Sequence, residues 1–315
     1  MKTAWLAAIL MLLPQPQPQP LPDVAGPLTI ELQGRTLVTA DRIDYSLPGQ
    51  TMVDPDKLAK LIEKIDRLTY VPPKNAVIGD SGGIVPEQPG YKLNQDLFAE
   101  RFYAYFYSRG PERTELIRSK VYPQVDSELL AAIRQKPIGS YATYYNSGNK
   151  NRAHNLALAS KSINNYVVFP GETFSFNRVV GKRTTERGYL RAPVIVRGEL
   201  SEDIGGGICQ VSSTLYNAID RAGLQIVQRY SHSRHVPYVL PGRDATVSWD
   251  GPDFVFRNPY NQPVLIRSFA GGGTMFVAIY SSDTIEYKPR EVPGMSKKLP
   301  EEVSVETEAG QDRTP

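Results

Sequence analysis

The sequence contains one cysteine, Cys209, and three histidines, His154, His232 and His235. Cys209 stands in the run Gly205-Gly206-Gly207-Ile208-Cys209-Gln210-Val211-Ser212-Ser213-Thr214-Leu215-Tyr216, which reads as three glycines opening a helix. A thiol in the first turn of a helix meets the positive end of the dipole and unpaired amides, both of which favour thiolate. The flanking glycines permit close approach of another backbone or of a substrate. These parts suffice for a nucleophilic acyl-transfer or hydrolysis site. Cys209 would attack a carbonyl, His232 would take or share its proton, and Asp244 or Asp253 would orient the imidazole. Gly206, Gly207 or Gln210 would donate to the oxyanion.

Two other readings use the same residues. In one, the glycines let the helix pack tightly on a sheet, Cys209 fills a small site, and His232 and Asp244 bond neighbouring loops, giving a binding or scaffolding module. In the other, His154, His232 and His235 hold a metal, but the two-residue gap between His232 and His235 has no matching cluster and no zinc spacing results. No metal or cofactor is therefore expected. A single cysteine allows no internal disulfide, so the fold must rest on its hydrophobic core.

The elements around the thiol follow from periodicity. Residues 153–165 are expected to form a helix with Ala153, Leu156, Ser160, Ile163 and Val167 along one side, before Pro170-Gly171 turns the chain. A strand over 192–196 precedes the glycines. In the helix that follows, closed by Gly223, the buried stripe is Val211, Leu215, Ala218 and Ala222, while Cys209 falls with Ser213, Tyr216 and Asp220 on nearly the opposite side. Strands are expected over 224–230, 245–249, 253–257, 264–269 and 274–280, with a turn at Asn258-Pro259-Tyr260-Asn261.

Upstream, three helix starts share one design, in which an Asx caps free amides, an acid follows, and an apolar pair five apart closes a staple. They are Val53-Asp54-Pro55-Asp56 with Leu58, Leu93-Asn94-Gln95-Asp96 with Phe98, and Val125-Asp126-Ser127-Glu128 with Leu130. The first continues with Leu58, Ile62, Ile65 and Leu68, and the second with Phe98, Phe102, Tyr105 and Phe106, all facing a core. Tyr103 and Tyr107 lie off that stripe, where another part of the protein or a sugar ring could cover them. Short strands are expected over 28–32, 37–39 and 76–78, and an exposed turn over 81–87. The fold class is α+β: a small α+β N-terminal domain over 28–139, then a mixed, mainly antiparallel sheet domain with two packed helices over 140–283.

Residues 1–13 pair Lys2 with an apolar run over 4–13 and read as a signal peptide, too short for a conventional span but compatible with an uncleaved signal anchor. The alternating Pro and Gln from Pro14 to Pro20 make 14–27 an extended linker, and the prolines and acids of 284–315 read as a disordered tail. A net charge of +3 over 315 residues makes no demand for nucleic acid. One stretch is basic, with Arg178, Lys182, Arg183, Arg187, Arg191 and Arg197 against Glu186, and could contact anionic wall polymers or peptide carboxylates.

Taken in order, Asn155, Pro170-Gly171-Glu172-Thr173-Phe174-Ser175-Phe176-Asn177, Gly181, Gly188-Tyr189, the run from Gly205 to Tyr216, Arg229, His232-Ser233, Asp244-Ala245-Thr246-Val247 and Phe256-Arg257-Asn258 resemble a complete VanW domain. His235 stands where the family often has proline, so His232 is the candidate for any shared role. The preceding region resembles, in pattern, the peptidoglycan-binding domain that often precedes VanW domains. The resemblance implies an extracytoplasmic protein of the bacterial cell envelope that binds or acts at peptidoglycan or another anionic wall polymer. It implies no nucleic acid, and membrane contact only through a signal anchor. The family is associated by name with glycopeptide-antibiotic resistance. Around Cys209, His232 and Asp244, the binding residues are then Gly205, Gly206, Gly207, Gln210, Ser212, Ser213 and Arg229.

Overall fold

The computed structural model describes residues 26–107, 113–196 and 199–296. The expected signal segment, most of the linker, Arg197 and the end of the tail lie outside the described residues. In chain order the elements are β1 (Leu28–Leu32), β2 (Arg35–Ala40), α1 (Pro55–Thr69), β3 (Val77–Ile78), β4 (Ile84–Val85), β5 (Gly90–Leu93), α2 (Gln95–Tyr107), β6 (Arg113–Glu115), β7 (Arg118–Val121) and α3 (Ser127–Ile133). There follow β8 (Lys136–Tyr144), α4 (Lys150–Ile163), β9 (Tyr166–Val168), β10 (Thr173–Ser175), α5 (Phe176–Val180), β11 (Arg191–Val196), β12 (Glu199–Ile204) and α6 (Ile208–Arg221). The last are β13 (Gln225–Gln228), β14 (Val255–Arg257), β15 (Val264–Gly271) and β16 (Thr274–Ser281). The class is α+β with antiparallel ladders, β1 and β6 excepted, which pair parallel. Among the described residues no helix is long and apolar enough to cross a membrane.

The chain divides into two compact units, Met1–Pro73 with Pro89–Tyr122, and Lys74–Gln88 with Pro123–Pro315. In the first, Asp54 accepts from the amides of Asp56 and Lys57 to close the start of α1, and Asn94 does the same for α2 through the Leu97 amide. Phe98, Phe102, Tyr105 and Phe106 are buried as expected. On α1 the buried set is Leu58, Leu61, Ile65 and Thr69, whereas Ile62 is half-buried and Leu68 exposed. The stripe turns because Leu61 supplies an equally apolar face, and because the Thr69 hydroxyl can be buried once it donates to the Ile65 carbonyl at 2.8 Å. Tyr103 and Tyr107 are exposed and stack on each other, 6.2 Å between centroids.

In the second unit a four-stranded sheet of order β8-β16-β15-β9 carries α4 and α6, and the unit also contains a three-stranded sheet of order β10-β14-β13 and the β11-β12 hairpin. Gly139 of β8 lets α6 lie close, since an added Cβ would sit 2.6 Å from the Ala218 carbonyl oxygen. The boundary expected at 139/140 falls inside β8, and the residues before it pack here: Ala76, Val125, Leu130 and Ile133 share one apolar cluster with Val167 and Leu265.

Other expectations are corrected. Asn149 caps α4 through the Arg152 amide, so that helix starts at Lys150. Residues 245–249 form no strand, because the Ala245 backbone is taken by the side chains of Ser212 and Ser213 on α6. Residues 284–296 are held in place: Ile285 and Val292 are buried, the Arg290 amide donates to the Arg221 carbonyl, and its guanidinium meets Asp220 at 2.8 Å. Two isolated apolar anchors leave no periodic trace among prolines and charges.

Candidate active site

The glycine run brings the start of α6 against neighbouring backbone. Gly205 and Gly207 adopt φ of 85° and 101°, in the left-handed region that favours glycine, and Gly206 leans on β11 so closely that a Cβ would fall 2.3 Å from the Ala192 carbonyl oxygen. Gly206→Ala is therefore expected to cost about 1–3 kcal/mol, as overpacking does. A thermal melt of the full chain checks this, and an unchanged midpoint refutes so tight an approach.

The side of α6 that carries Cys209 is roofed by the segment after β13, and every residue of the helix from Gln210 to Ile219 is buried. Ala245 accepts from Ser212 Oγ at 2.5 Å and its amide donates to Ser213 Oγ at 2.9 Å. Lower down, Asn217 and Arg243 bond each other twice, Nδ2 to carbonyl and Nε to Oδ1, each at 2.8 Å. These polar residues of the helix are the attachment points of an irregular loop, whose backbone needs partners.

That loop sets the chemistry. Asp244 Oδ2 accepts from both the backbone amide and Nδ1 of His232, each at 2.6 Å, and the two side chains are only 8% and 7% exposed. The His232 ring is near enough to the Cys209 thiol for each to favour the charged form of the other. With Nδ1 engaged by the carboxylate, Nε2 is the nitrogen left for sulfur. Cys209 itself is half-buried, its Sγ 3.5 Å from the Val247 carbonyl oxygen and 3.8 Å from Thr246 Oγ1. Of the two carboxylates considered, Asp244 meets the imidazole. Asp253 is occupied by Ser175 Oγ and by the amides of Asn177 and Phe254.

The protonation states follow from these contacts. Burial, the largest influence on the thiol, pushes it up, but the hydrogen bond and charge of His232 bring Cys209 below the ordinary thiol value. Burial works against charge on His232 too, yet the bond to Asp244, then the contact with Cys209, raise it to about 9. Burial also raises Asp244, and the ring and amide of His232 outweigh it to hold the carboxyl below the usual range.

The expected binding residues divide. Gln210 Nε2 donates to Thr143 Oγ1 and the Tyr144 carbonyl, both at 3.0 Å, and its Oε1 accepts from Arg152, so its side chain is occupied and cannot serve an oxyanion. Ser212 and Ser213 secure the loop, and Arg229 donates to the Asp244 carbonyl at 2.6 Å. His154 meets the Gly188 carbonyl and His235 is exposed; among the described residues no three His, Cys, Asp or Glu cluster as metal ligands. Two residues near the thiol escaped the sequence reading. Tyr238 is buried, burial raises its hydroxyl well above the ordinary value, and no pattern marks it. Arg183 was hidden among the basic residues of its stretch, and its guanidinium feels the charge of Cys209.

Residues 151–280 match the family described as "VanW like protein", and residues 33–111 match the "Putative peptidoglycan binding domain". The uncharacterized protein YoaR of Bacillus subtilis (strain 168) is 58% identical over 281 residues, covering 89% of this chain and 93% of that protein. The Vancomycin B-type resistance protein VanW of Enterococcus faecalis (strain ATCC 700802 / V583) is 32% identical over 165 residues, 50% of this chain and 58% of that protein. No solved structure matches significantly.

Proposed function

The chain belongs to the VanW family, and from that premise we propose that this cell-wall-related protein is a cysteine-dependent acyl transferase or hydrolase acting on peptidoglycan stem peptides. The observation that carries the reading is the 2.6 Å bond of Asp244 to the His232 ring, whose charge in turn favours the Cys209 thiolate. Such a pairing generates thiolate and imidazolium, which is what nucleophilic acyl transfer uses. The thiolate adds to a peptide carbonyl carbon, forming a C–S bond. His232 then gives its proton to the departing amine nitrogen as the C–N bond breaks, leaving a thioester. An acceptor amine or water attacks the thioester, His232 takes its proton, and the thiolate leaves. The amides of Gly207, just before α6, and of Cys209, in its first turn, stabilise the oxyanion. The peptidoglycan-binding-like domain holds the wall polymer, and the apolar start of the chain directs the protein outside the cytoplasm.

The test is covalent capture. Full-length protein incubated with stem peptides of three to five residues, then quenched in acid, is expected to gain the acyl mass on the peptide containing Cys209. Absence of that adduct with every stem peptide, at full thiol reactivity, overturns the reading.

A further inference from the structure

Arg183 follows α5 in the segment leading to β11, and its position is fixed from several sides. Nη1 donates to Asn177 Oδ1 at 2.8 Å, the guanidinium carbon lies 5.8 Å from the centre of the Phe176 ring, and a Cβ on Gly205 would touch its side chain at 2.9 Å. Nη2 is buried and has no hydrogen-bond partner among the described residues. The charges it feels are Cys209, Tyr189 and Asp253, with Arg187 opposing. Asp253 does not pair with it, because both its oxygens are taken by Ser175, Asn177 and Phe254. Three neighbours in the stretch spend donors on nearby carbonyls: Arg178 on Thr173, Arg187 on Lys182 and Arg191 on Glu202.

A guanidinium with an unused buried donor is costly unless something supplies an acceptor, and a carboxylate is the acceptor its planar fork fits best. Resting on the acyl-transfer reading for the identity of the reacting atom, we propose that Arg183 is a specificity-determining residue that binds the free C-terminal carboxylate of the peptide whose carbonyl meets Cys209. The site then takes acyl donors that lose a terminal amino acid, its carboxylate held by Arg183, in preference to chains continuing past that point.

Equilibrium binding separates this from the chemistry. Full-length Cys209→Ala protein is titrated with stem tetrapeptides that end in a carboxylate or in a carboxamide, and the same pair is offered to protein with Cys209 intact for thioester formation. The carboxylate is expected to bind about 10- to 100-fold more tightly, the range of a charge-assisted contact. Adding Arg183→Gln should erase this preference by weakening the carboxylate peptide alone, and Arg183→Lys should restore part of it. Equal binding of the two peptides, or a preference that survives Arg183→Gln in folded protein, overturns the proposal. So does an unaltered preference combined with an alkylation profile of Cys209 moved to higher pH, which would make Arg183 a partner of the thiolate. An Arg183-dependent preference without any thioester supports the carboxylate site and removes the acyl-transfer reading instead.

Discussion

Replacing Cys209 with serine is expected to abolish turnover of stem peptides, by at least about 10³-fold, while the thermal midpoint stays within about 2 °C. The asymmetry between those two numbers carries the argument. The sulfur's other neighbours, the Thr246 hydroxyl at 3.8 Å and the Val247 carbonyl at 3.5 Å, are weak partners that a serine hydroxyl can keep. Serine is smaller by little and the residue is half-buried, so packing changes slightly. What serine cannot keep is the anion, because a hydroxyl is far too weak an acid to give its proton to a resting imidazole. Thermal melts and turnover measured on the same preparations decide between a nucleophile and a packed thiol. Several degrees of destabilisation with proportionate loss of turnover would mark Cys209 as a packing residue.

Much of this site was legible because its parts are either irreplaceable or locally encoded. The cysteine is unique, and the glycines before it announce a helix start and a close approach. The strands 264–269 and 274–280 and the caps at Asp54, Asn94 and Asp126 are local patterns, and all appear as β15, β16 and the starts of α1, α2 and α3. The loop between β13 and β14 was not legible. Its course is set by bonds to Ser212, Ser213 and Asn217 that exist only after folding, whereas residues 245–249 on their own read as a strand. The choice between Asp244 and Asp253 had the same cause: one carboxylate is spent on local amides and the other is not, and that difference exists only after folding. Arg183 was concealed for the opposite reason, since a run of like charges reads as one solvated face although one member turns inward.

Removing the imidazole or its carboxylate should move the thiol and the rate in predictable directions. In His232→Ala the charge and hydrogen bond that lower Cys209 are gone, and burial, already the largest influence, pushes the thiol above its ordinary value. Alkylation at pH 7 is then expected to slow at least about tenfold, the consequence of one unit in pKa, and to recover only at high pH. Asp244→Asn removes the bond that raises His232, so burial holds the ring neutral and the proton for the leaving amine is lost; turnover falls by about 10²–10⁴-fold. The native rate should decline as pH rises through about 9, where His232 gives up its proton, and in Asp244→Asn that limb moves to lower pH. Stability follows the same linkage. A histidine raised from 6.5 to about 9 contributes stability that is complete below 6.5 and lost as pH climbs through 9, while the lowered Asp244 contributes above its ordinary value and loses it in acid. The melting difference between native protein and Asp244→Asn should therefore be widest in mildly acidic to neutral solution and shrink at both extremes. A difference that persists unchanged from pH 6 to pH 10 would show that Asp244 supports the loop without charging the ring, and the thiolate would lose its partner.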